Sequence, residues 1–314
     1  MKIAVSGCLL GKNIRYDGTN KKDKFIVNEL SRYSEYVAFC PEHIAYGTPR
    51  ETIRLVDEDD DTKVYTVNST NEVTQELKDS IKKEINRLKE EDLSGIILKA
   101  KSPSCGLGST KLYKNGMPEG KHDGLFAQAC KENFEYLPIE EEARLNDAWL
   151  RENFAMQIFA YNNMKNITKS IAKYNDLVDF HTSYKYLLHS KSEDEYRELG
   201  RIVANHDKKD LTQVVSEYEK LFYKTIAYKS SIKKTANVLE HMLGFFKNDI
   251  SGDEKKHIKI LISQYKEKII PLITVMEMFK LLSNKYKKEF LLAQKFLDPY
   301  PSELALRSDI KAGK

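Results

Sequence analysis

Short apolar runs alternate with helical periodicity in the first part of the chain. Residues 2–5, 36–39 and 95–98 form such runs near Gly, Ser or Pro, and this pattern predicts buried strands. Between them, residues 74–91 repeat apolar side chains at helical spacing, beginning with Leu77. Strands that alternate with helices form mostly parallel sheets, so we expect a Rossmann-like α/β domain.

The pattern changes near residue 142. Residues 134–137 predict a last strand, and the charged segment 138–142 is interpreted as the exit from the domain. We therefore expect an α/β domain over residues 1–141 and an all-α helical domain over residues 142–314. The expectation for the second part depends on amphipathic helical stripes, which are clearest over residues 149–161, 214–222, 238–246 and 258–265.

Composition favours a globular protein of the cytoplasm. The 314 residues are 41% hydrophobic and 31% charged, which is enough apolar content for more than one core. No apolar run approaches the roughly 18 residues that a membrane span needs. The first strand also begins too early to leave room for a signal peptide. We therefore expect a cytoplasmic location and no membrane partner.

Charge is divided unevenly along the chain. Residues 1–140 hold 21 Lys and Arg against 23 Asp and Glu, whereas residues 141–314 hold 30 against 24. The net charges are −2 and +6, respectively. A basic helical region beside a nearly neutral α/β domain suggests a polyanionic partner. A lysine-rich surface that contacts only solvent is the alternative explanation.

Three of the four cysteines follow the predicted strands. Cys8, Cys40 and Cys105 lie beyond the three apolar runs, whereas Cys130 lies on an apolar helix face and is interpreted as a packing residue. Because parallel strands end at one edge of a sheet, the three thiols can meet there. Soft thiolates from separate loops suit an iron–sulfur cluster or zinc. The alternative is three buried packing cysteines, but their Gly, Pro and Ser neighbours are typical of exposed loops.

Polar side chains adjoin these thiols. Glu42 follows Cys40 by two residues, and Ser102 and Ser104 precede Cys105. A 4Fe–4S cluster with three cysteine ligands has one open iron, which can act as a Lewis acid towards a soft atom such as sulfur. A carboxylate and hydroxyl groups beside it favour hydrolytic rather than redox chemistry.

Ordered motifs occur in both halves of the chain. The first half contains Ser6-Gly7-Cys8-Leu9-Leu10-Gly11, Arg15-Tyr16-Asp17-Gly18, Cys40-Pro41-Glu42, Pro49-Arg50 with Arg54-Leu55, and Ser102-Pro103-Ser104-Cys105-Gly106. The second half contains Leu150-Arg151-Glu152-Asn153-Phe154, Phe180-His181, Tyr184-Lys185-Tyr186, Leu199-Gly200-Arg201, Asn237-Val238-Leu239-Glu240-His241, Gly244-Phe245-Phe246-Lys247 and Asp298-Pro299-Tyr300-Pro301. The first set resembles the thiouracil desulfidase family over residues 1–140. The second set resembles the YbgA-type helical domain, and the two-domain form resembles desulfidases that act on 4-thiouridine in tRNA.

The resemblance implies roles for individual residues. Cys8, Cys40 and Cys105 match the ligands of a 4Fe–4S cluster with one open iron. Glu42 matches the catalytic acid or base, and Ser102 matches a hydroxyl implicated in turnover. The implied reaction is non-redox: the thiocarbonyl sulfur binds the open iron, Glu42 activates water, and uracil and sulfide result. Residues implied around the ligands or the substrate are Arg15, Asp17 and Ser104.

Polar residues of the helical half also match family positions. Tyr and Arg side chains can stack on bases, and Lys can neutralise phosphate. For the histidines, hydrogen-bonded packing between helices is the alternative. The candidates for contact with RNA are His181, Tyr184, Lys185, Arg201 and His241. No role follows for the other matching residues, His189, Asn237 and Arg307.

Three functions stay open at this point. The first is removal of sulfur from a thiolated base in tRNA. The second is the same chemistry on free thiouracil or another small thiocarbonyl, which would not require a basic helical domain. The third is a non-enzymatic iron–sulfur or zinc regulator that binds nucleic acid. In such a regulator, Glu42 and Ser102 would have no assigned function.

Overall fold

A parallel sheet contains the strands that precede the three cysteines. The computed structural model describes residues 1–58 and 61–304. This sheet has the order β2-β1-β5-β8, and each neighbouring pair in it is parallel, which confirms the mostly parallel α/β prediction. The strands of the chain are β1 (Lys2–Ser6), β2 (Glu35–Phe39), β3 (Ile53–Glu58), β4 (Asp61–Thr66), β5 (Leu93–Leu98), β6 (Thr110–Lys114), β7 (Met117–His122) and β8 (Ile139–Glu141).

The core of this region lies on the central strands. Ile3 and Val5 of β1 and Ile96 and Ile97 of β5 are fully buried. The helices of the region are α1 (Pro41–Tyr46), α2 (Thr74–Lys89) and α3 (Leu125–Asn133). The buried face of α2 includes Leu77, so the helix predicted over residues 74–91 is confirmed.

A second sheet has the order β4-β3-β6-β7 and is mixed. The β3–β4 and β6–β7 pairs are antiparallel, whereas β3 and β6 are parallel. Every residue of β7 is exposed, so that strand has no apolar alternation by which it could be found.

The strand expected over residues 134–137 is wrong. The last strand is β8, which pairs in parallel with β5 and contains the buried carboxylates Glu140 and Glu141. Arg144 Nε donates to Glu140, and Ser109 Oγ donates to Glu141 at 2.6 Å. Arg144 lies just after the strand, and Ser109 lies 32 residues from Glu141. Neither contact gives apolar alternation, so the local pattern presents a buried strand as a charged segment.

Residue contacts divide the chain into a compact unit of residues 1–154 and a second unit from residue 155 onwards. The second unit is helical, as predicted. Its core contains large aromatic side chains such as Tyr218 and Phe222. Among the described residues, no helix combines the length and apolar character of a membrane span. The remaining helices of the chain are α4 (Ala148–Ser170), α5 (Tyr174–Lys191), α6 (Glu193–Ala204), α7 (Leu211–Ala227), α8 (Ile232–Leu243), α9 (Gly252–Lys266), α10 (Leu272–Lys285) and α11 (Glu289–Leu292).

Candidate active site

The three predicted cluster ligands line one cavity at the carboxyl edge of the parallel sheet. Cys8 lies in the 3₁₀ turn Gly7–Leu10 directly after β1, Cys40 follows β2, and Cys105 lies in the loop after β5. Strand β1 has β2 on one side and β5 on the other, and ligands of open α/β sheets bind beyond the strand ends at such a point. The cavity there has a volume of about 330 Å³, and all three thiols line it.

All four cysteines of the chain are free. Burial raises the pKa of Cys8, raises the pKa of Cys40 to about 11, and raises the pKa of Cys105 well above its ordinary value. The hydroxyl oxygen of Ser104 lies 3.4 Å from Cys105 Sγ. The three cavity groups are therefore protonated thiols at neutral pH, and a metal that binds them releases their protons.

Glu42 accepts hydrogen bonds on both carboxylate oxygens. The hydroxyls of Ser102 and Ser104 donate to Oε1 at 2.7 and 2.6 Å. Arg50 Nη2 donates to Oε2 at 2.9 Å, and only 13% of the Glu42 side chain is exposed. Three donors from two other loops therefore fix the direction of this carboxylate beside the thiols.

Arg50 is itself held by the backbone. Its Nη1 donates to the carbonyl oxygens of Ile14 and Gly47, each at 3.0 Å. The Nε atom is buried and has no hydrogen-bond partner among the described residues. Because its guanidinium group is planar and anchored on one side, Arg50 presents a rigid cationic edge to Glu42.

The loop that carries Cys105 is anchored to the start of α3. The carbonyl oxygen of Ser104 accepts from the backbone N–H groups of Phe126 and Ala127, at 2.8 and 3.1 Å. Gly124 precedes this helix, and a Cβ atom there would lie 2.4 Å from the same carbonyl oxygen. Glycine at this position is therefore required for the close approach of loop and helix.

The other residues predicted around the site divide into two groups. Arg15 lines the cavity, whereas Asp17 does not and instead accepts from Arg15 Nη1 at 3.4 Å. Hydrogen bonds from Thr19 lower the pKa of Asp17. Cys130 is fully buried in α3 and does not line the cavity, as expected of a packing residue. Burial raises the pKa of Cys130.

Comparisons with known proteins match both parts of the chain. A family described as 2-thiouracil desulfurase matches residues 3–142, and a family described as a protein of unknown function, DUF1722, matches residues 185–301. The uncharacterized protein YbbK of Bacillus subtilis is 33% identical over 125 residues, which are 38% of this chain and 80% of YbbK. The chain belongs to the 2-thiouracil desulfurase family.

A second relative and a solved structure are also similar. The uncharacterized protein YbgA of Escherichia coli is 26% identical over 153 residues, which are 48% of this chain and 90% of YbgA. The second part of this desulfurase-family chain is of the YbgA type. The solved structure of TudS, described as a [4Fe-4S]-dependent thiouracil desulfidase, is 27% identical, with a TM-score of 0.37. It covers 46% of this chain, which in turn covers 93% of TudS.

The desulfurase-family site contains residues that sequence reasoning missed. Lys99 lines the cavity and forms an ion pair with Glu142, whose other oxygen accepts from the backbone N–H of Ala100 at 2.6 Å. Glu142 had been interpreted as part of a charged exit, but it ties the end of β5 to the segment after β8. Arg50 occurs in a quoted motif but had no assigned role. Glu142 is 43 residues from Lys99, and Arg50 is eight residues from Glu42 and 36 from Ile14, so no local pattern reveals these roles.

The candidates for RNA contact lie in different environments. Tyr184 is 1% exposed, and its hydroxyl accepts from Asn163 Nδ2 at 2.8 Å. It is therefore a core residue and is not accessible for contact with RNA. His181 is half-buried near the hydroxyl of Tyr218, and burial lowers its pKa to about 4. Its neutral ring packs between helices.

The remaining candidates are nearer the surface. Lys185 and His241 line one pocket of the helical unit together with His189. Arg201 does not line it and pairs with Glu198 at 2.7 Å. Arg307 lies outside the described residues. The structure thus brings together two of the five candidates.

Proposed function

We propose that the chain is an iron–sulfur-dependent desulfidase that converts a thiolated uracil base to uracil and releases sulfide. The observation that carries this proposal is the convergence of three thiols and one fixed carboxylate, Glu42, on a single cavity. Membership of the 2-thiouracil desulfurase family supports the choice of substrate class.

The donor set fits a 4Fe–4S cluster held by Cys8, Cys40 and Cys105. Thiolates are the ligands such clusters take, and the cavity volume of about 330 Å³ falls within the range of about 300–1,000 Å³ for small-ligand sites. Within the described part of the chain, no three His, Cys, Asp or Glu side chains are arranged so that they could hold a single metal ion. When bound through three cysteines, the cluster supplies one open, Lewis-acidic iron for the sulfur of a thiocarbonyl.

Glu42 is the general base of this proposal. A carboxylate offers about four acceptor positions, and Ser102, Ser104 and Arg50 occupy three of them. The fourth position, on Oε2, is available to a water molecule. Glu42 then accepts the proton as this water attacks the ring carbon. The balanced reaction consumes one thiocarbonyl and one water and yields one carbonyl and one hydrogen sulfide, with no net electron transfer.

We propose 4-thiouridine in tRNA as the substrate. The support is the net charge of +6 on residues 141–314, against −2 on residues 1–140. Phosphate neutralisation by Lys and Arg is the main source of non-specific affinity for nucleic acids. Free thiouracil is the second candidate, because every residue that lines the cavity belongs to residues 1–154 and the basic helical part contributes none of them.

The test uses the full chain, purified without oxygen and loaded with iron and sulfide. Incubation with thiolated tRNA and, separately, with free thiouracil should produce sulfide from at least one of them, and visible absorption reports the cluster. A higher kcat/KM for sulfide release from thiolated tRNA than from free thiouracil supports the tRNA assignment. Sulfide release from free thiouracil alone supports the second candidate. A fully loaded protein that releases sulfide from neither substrate would contradict the proposed function.

A further inference from the structure

The helical unit contains a pocket that the proposed chemistry does not use. Helices α5, α6 and α8 and the 3₁₀ turn after α8 supply its walls, and its volume is about 360 Å³. Glu193 is the acidic residue of the lining, and it pairs with Arg197 at 2.6 Å. We call this site the aromatic pocket, and its other main residues are Lys185, His189, Tyr196, Arg197, His241 and Phe245.

Phe245 presents an aromatic face at this pocket. Its side chain is 40% exposed, and its ring stacks on that of Phe290 with a centroid separation of 5.3 Å and an interplanar angle of 13°. The Lys185 ammonium lies 5.8 Å from the centroid of the Phe290 ring. A rigidly backed and exposed ring beside a cation is the arrangement on which nucleobases stack in single-stranded complexes.

The two histidines extend the polar side of the aromatic pocket. The rings of His189 and His241 are 5.3 Å apart, and that of Tyr196 is 5.5 Å from that of His189. Imidazole nitrogens can donate to or accept from the edge of a base. The aromatic pocket thus offers both a stacking surface and hydrogen-bonding groups.

A lysine groove adjoins the other side of α8. It has a volume of about 550 Å³, and Glu240 is the acidic residue of its lining. Only Lys266 pairs with that carboxylate, at 3.9 Å. In the part of the chain that the structure describes, the other three lysines have no carboxylate at ion-pair distance. The four lysines of the groove are Lys247, Lys255, Lys259 and Lys266.

The 3₁₀ turn Gly244–Phe246, directly after α8, contributes to both sites. Gly244 lines the lysine groove, and Phe245, the next residue, lines the aromatic pocket. The two sites therefore meet at this turn. A single strand with one base stacked on Phe245 can continue across this turn, so that neighbouring phosphates along the strand reach the groove.

We propose that the aromatic pocket and the lysine groove form one binding site for single-stranded RNA. One unstacked base occupies the pocket, and the phosphates beside it lie on the lysines. The inference deepens the proposed function and rests on its RNA substrate. Groove lysines alone would fit any polyanion, but the exposed aromatic face selects a ligand that also carries bases.

The lysine groove is tested by the salt dependence of binding. Affinity of the full chain for a short fluorescent oligouridylate is measured as salt increases. For the double variant Lys255→Ala/Lys259→Ala, loss of two phosphate contacts should reduce the slope of log affinity against log salt by about 1.4. The matched control is Lys233→Ala/Lys256→Ala, which removes two exposed lysines outside the groove. Equal slopes for the two double variants would overturn the groove assignment.

The aromatic pocket is tested by Phe245→Ala and Phe245→Trp. The alanine variant should bind oligouridylate roughly tenfold or more weakly with an unchanged salt slope, and the tryptophan variant should retain stacking and affinity. His241→Ala, at an exposed position, provides a second variant with an expected loss of affinity. Helicity and thermal unfolding identify any variant that fails to fold. Unchanged affinity in both the Phe245→Ala and His241→Ala proteins would overturn the pocket assignment.

Two further measurements separate this inference from others. Inorganic polyphosphate is the competitor: if it binds as tightly as oligouridylate, the surface is a polyanion groove without base recognition, and the inference fails. Turnover of free thiouracil by the unaltered, cluster-loaded chain tests the desulfidase activity independently of RNA. Thiouracil turnover without RNA binding would therefore reject this site while the proposed chemistry stands.

Discussion

At the scale of residues, Ser102 connects the carboxylate to the cysteine loop. Its hydroxyl donates to Glu42 Oε1 and accepts from the backbone N–H groups of Ser104 and Cys105, at 3.2 and 3.1 Å. One side chain thus fixes both the direction of the proposed base and the turn that positions a ligand. Glu42 contacts this loop through the hydroxyls of Ser102 and Ser104, and a glutamine amide oxygen can accept the same hydrogen bonds. Chemistry and cluster binding can therefore be separated experimentally.

Replacing Glu42 by Gln should abolish most turnover and leave the cluster in place. The amide cannot accept a proton from water, so we expect kcat to fall by about 10²–10⁴-fold. Iron per chain and visible absorption should match the unaltered protein, because the three thiols are unchanged. Ser102→Ala is the comparison and should retain the cluster with a smaller loss of rate. A near-normal rate in Glu42→Gln would remove this residue from the mechanism.

The cysteines should differ sharply in their effect on iron content. Cys8→Ala, Cys40→Ala and Cys105→Ala each remove a thiol that lines the cavity, so each should lose most bound iron. Cys130→Ala is the matched control, because Cys130 is fully buried and does not line the cavity. Iron is measured per chain after anaerobic reconstitution. Full iron retention in any one of the three cavity variants would contradict the three-ligand assignment.

At the scale of elements, apolar runs predict strands of the parallel sheet, from the fully buried β5 to the half-buried edge strand β2. The runs at residues 36–39 and 95–98 correspond to β2 and β5, and parallel order then implies that the cysteines meet at one edge. The same reasoning fails for β7, which is wholly exposed, and for β8, whose buried carboxylates accept from Ser109, 32 residues away, and from Arg144 just after the strand. Hydrogen bonds between polar side chains leave no apolar periodicity, and for this reason the sequence does not reveal the roles of Arg50 and Glu142.

The packing of α3 against the cysteine loop can be tested at Gly124. In Gly124→Ala the new Cβ would meet the Ser104 carbonyl oxygen at 2.4 Å, so the loop or the helix must shift. Overpacking of this kind typically costs about 1–3 kcal/mol of unfolding free energy, and we expect reduced iron retention as Cys105 moves. Denaturant unfolding and iron analysis measure the two effects.

The matched control for this substitution is Gly252→Ala. Gly252 also lies at a helix start, but a Cβ atom there would have no heavy atom within 4 Å. The control should therefore retain both stability and iron. If Gly124→Ala behaves like the control, close packing at this position does not determine the geometry of the cysteine loop.

At the scale of the whole molecule, the proposed catalytic residues and the excess of positive charge lie in different parts of the chain. The cavity lies within the compact unit of residues 1–154, whereas the excess of basic residues lies in residues 141–314. The first unit contains the whole lining of the cavity, including the three thiols, and also the ion pair between Glu42 and Arg50. A division at residue 142 into a chemical domain and an RNA-binding domain therefore stays our proposal for how the chain works.

Truncation after Phe154 should separate the two substrates. We expect the shortened, cluster-loaded protein to release sulfide from free thiouracil, because every residue that lines the cavity is retained. Its kcat/KM on thiolated tRNA should fall and lose its steep salt dependence, because the basic residues that release counterions from RNA are mostly removed. Circular dichroism and iron content establish that the shortened protein is folded and loaded. If that protein acts on tRNA with the full-length rate and the same salt dependence, the helical part does not deliver the RNA, and its basic surface requires a different partner.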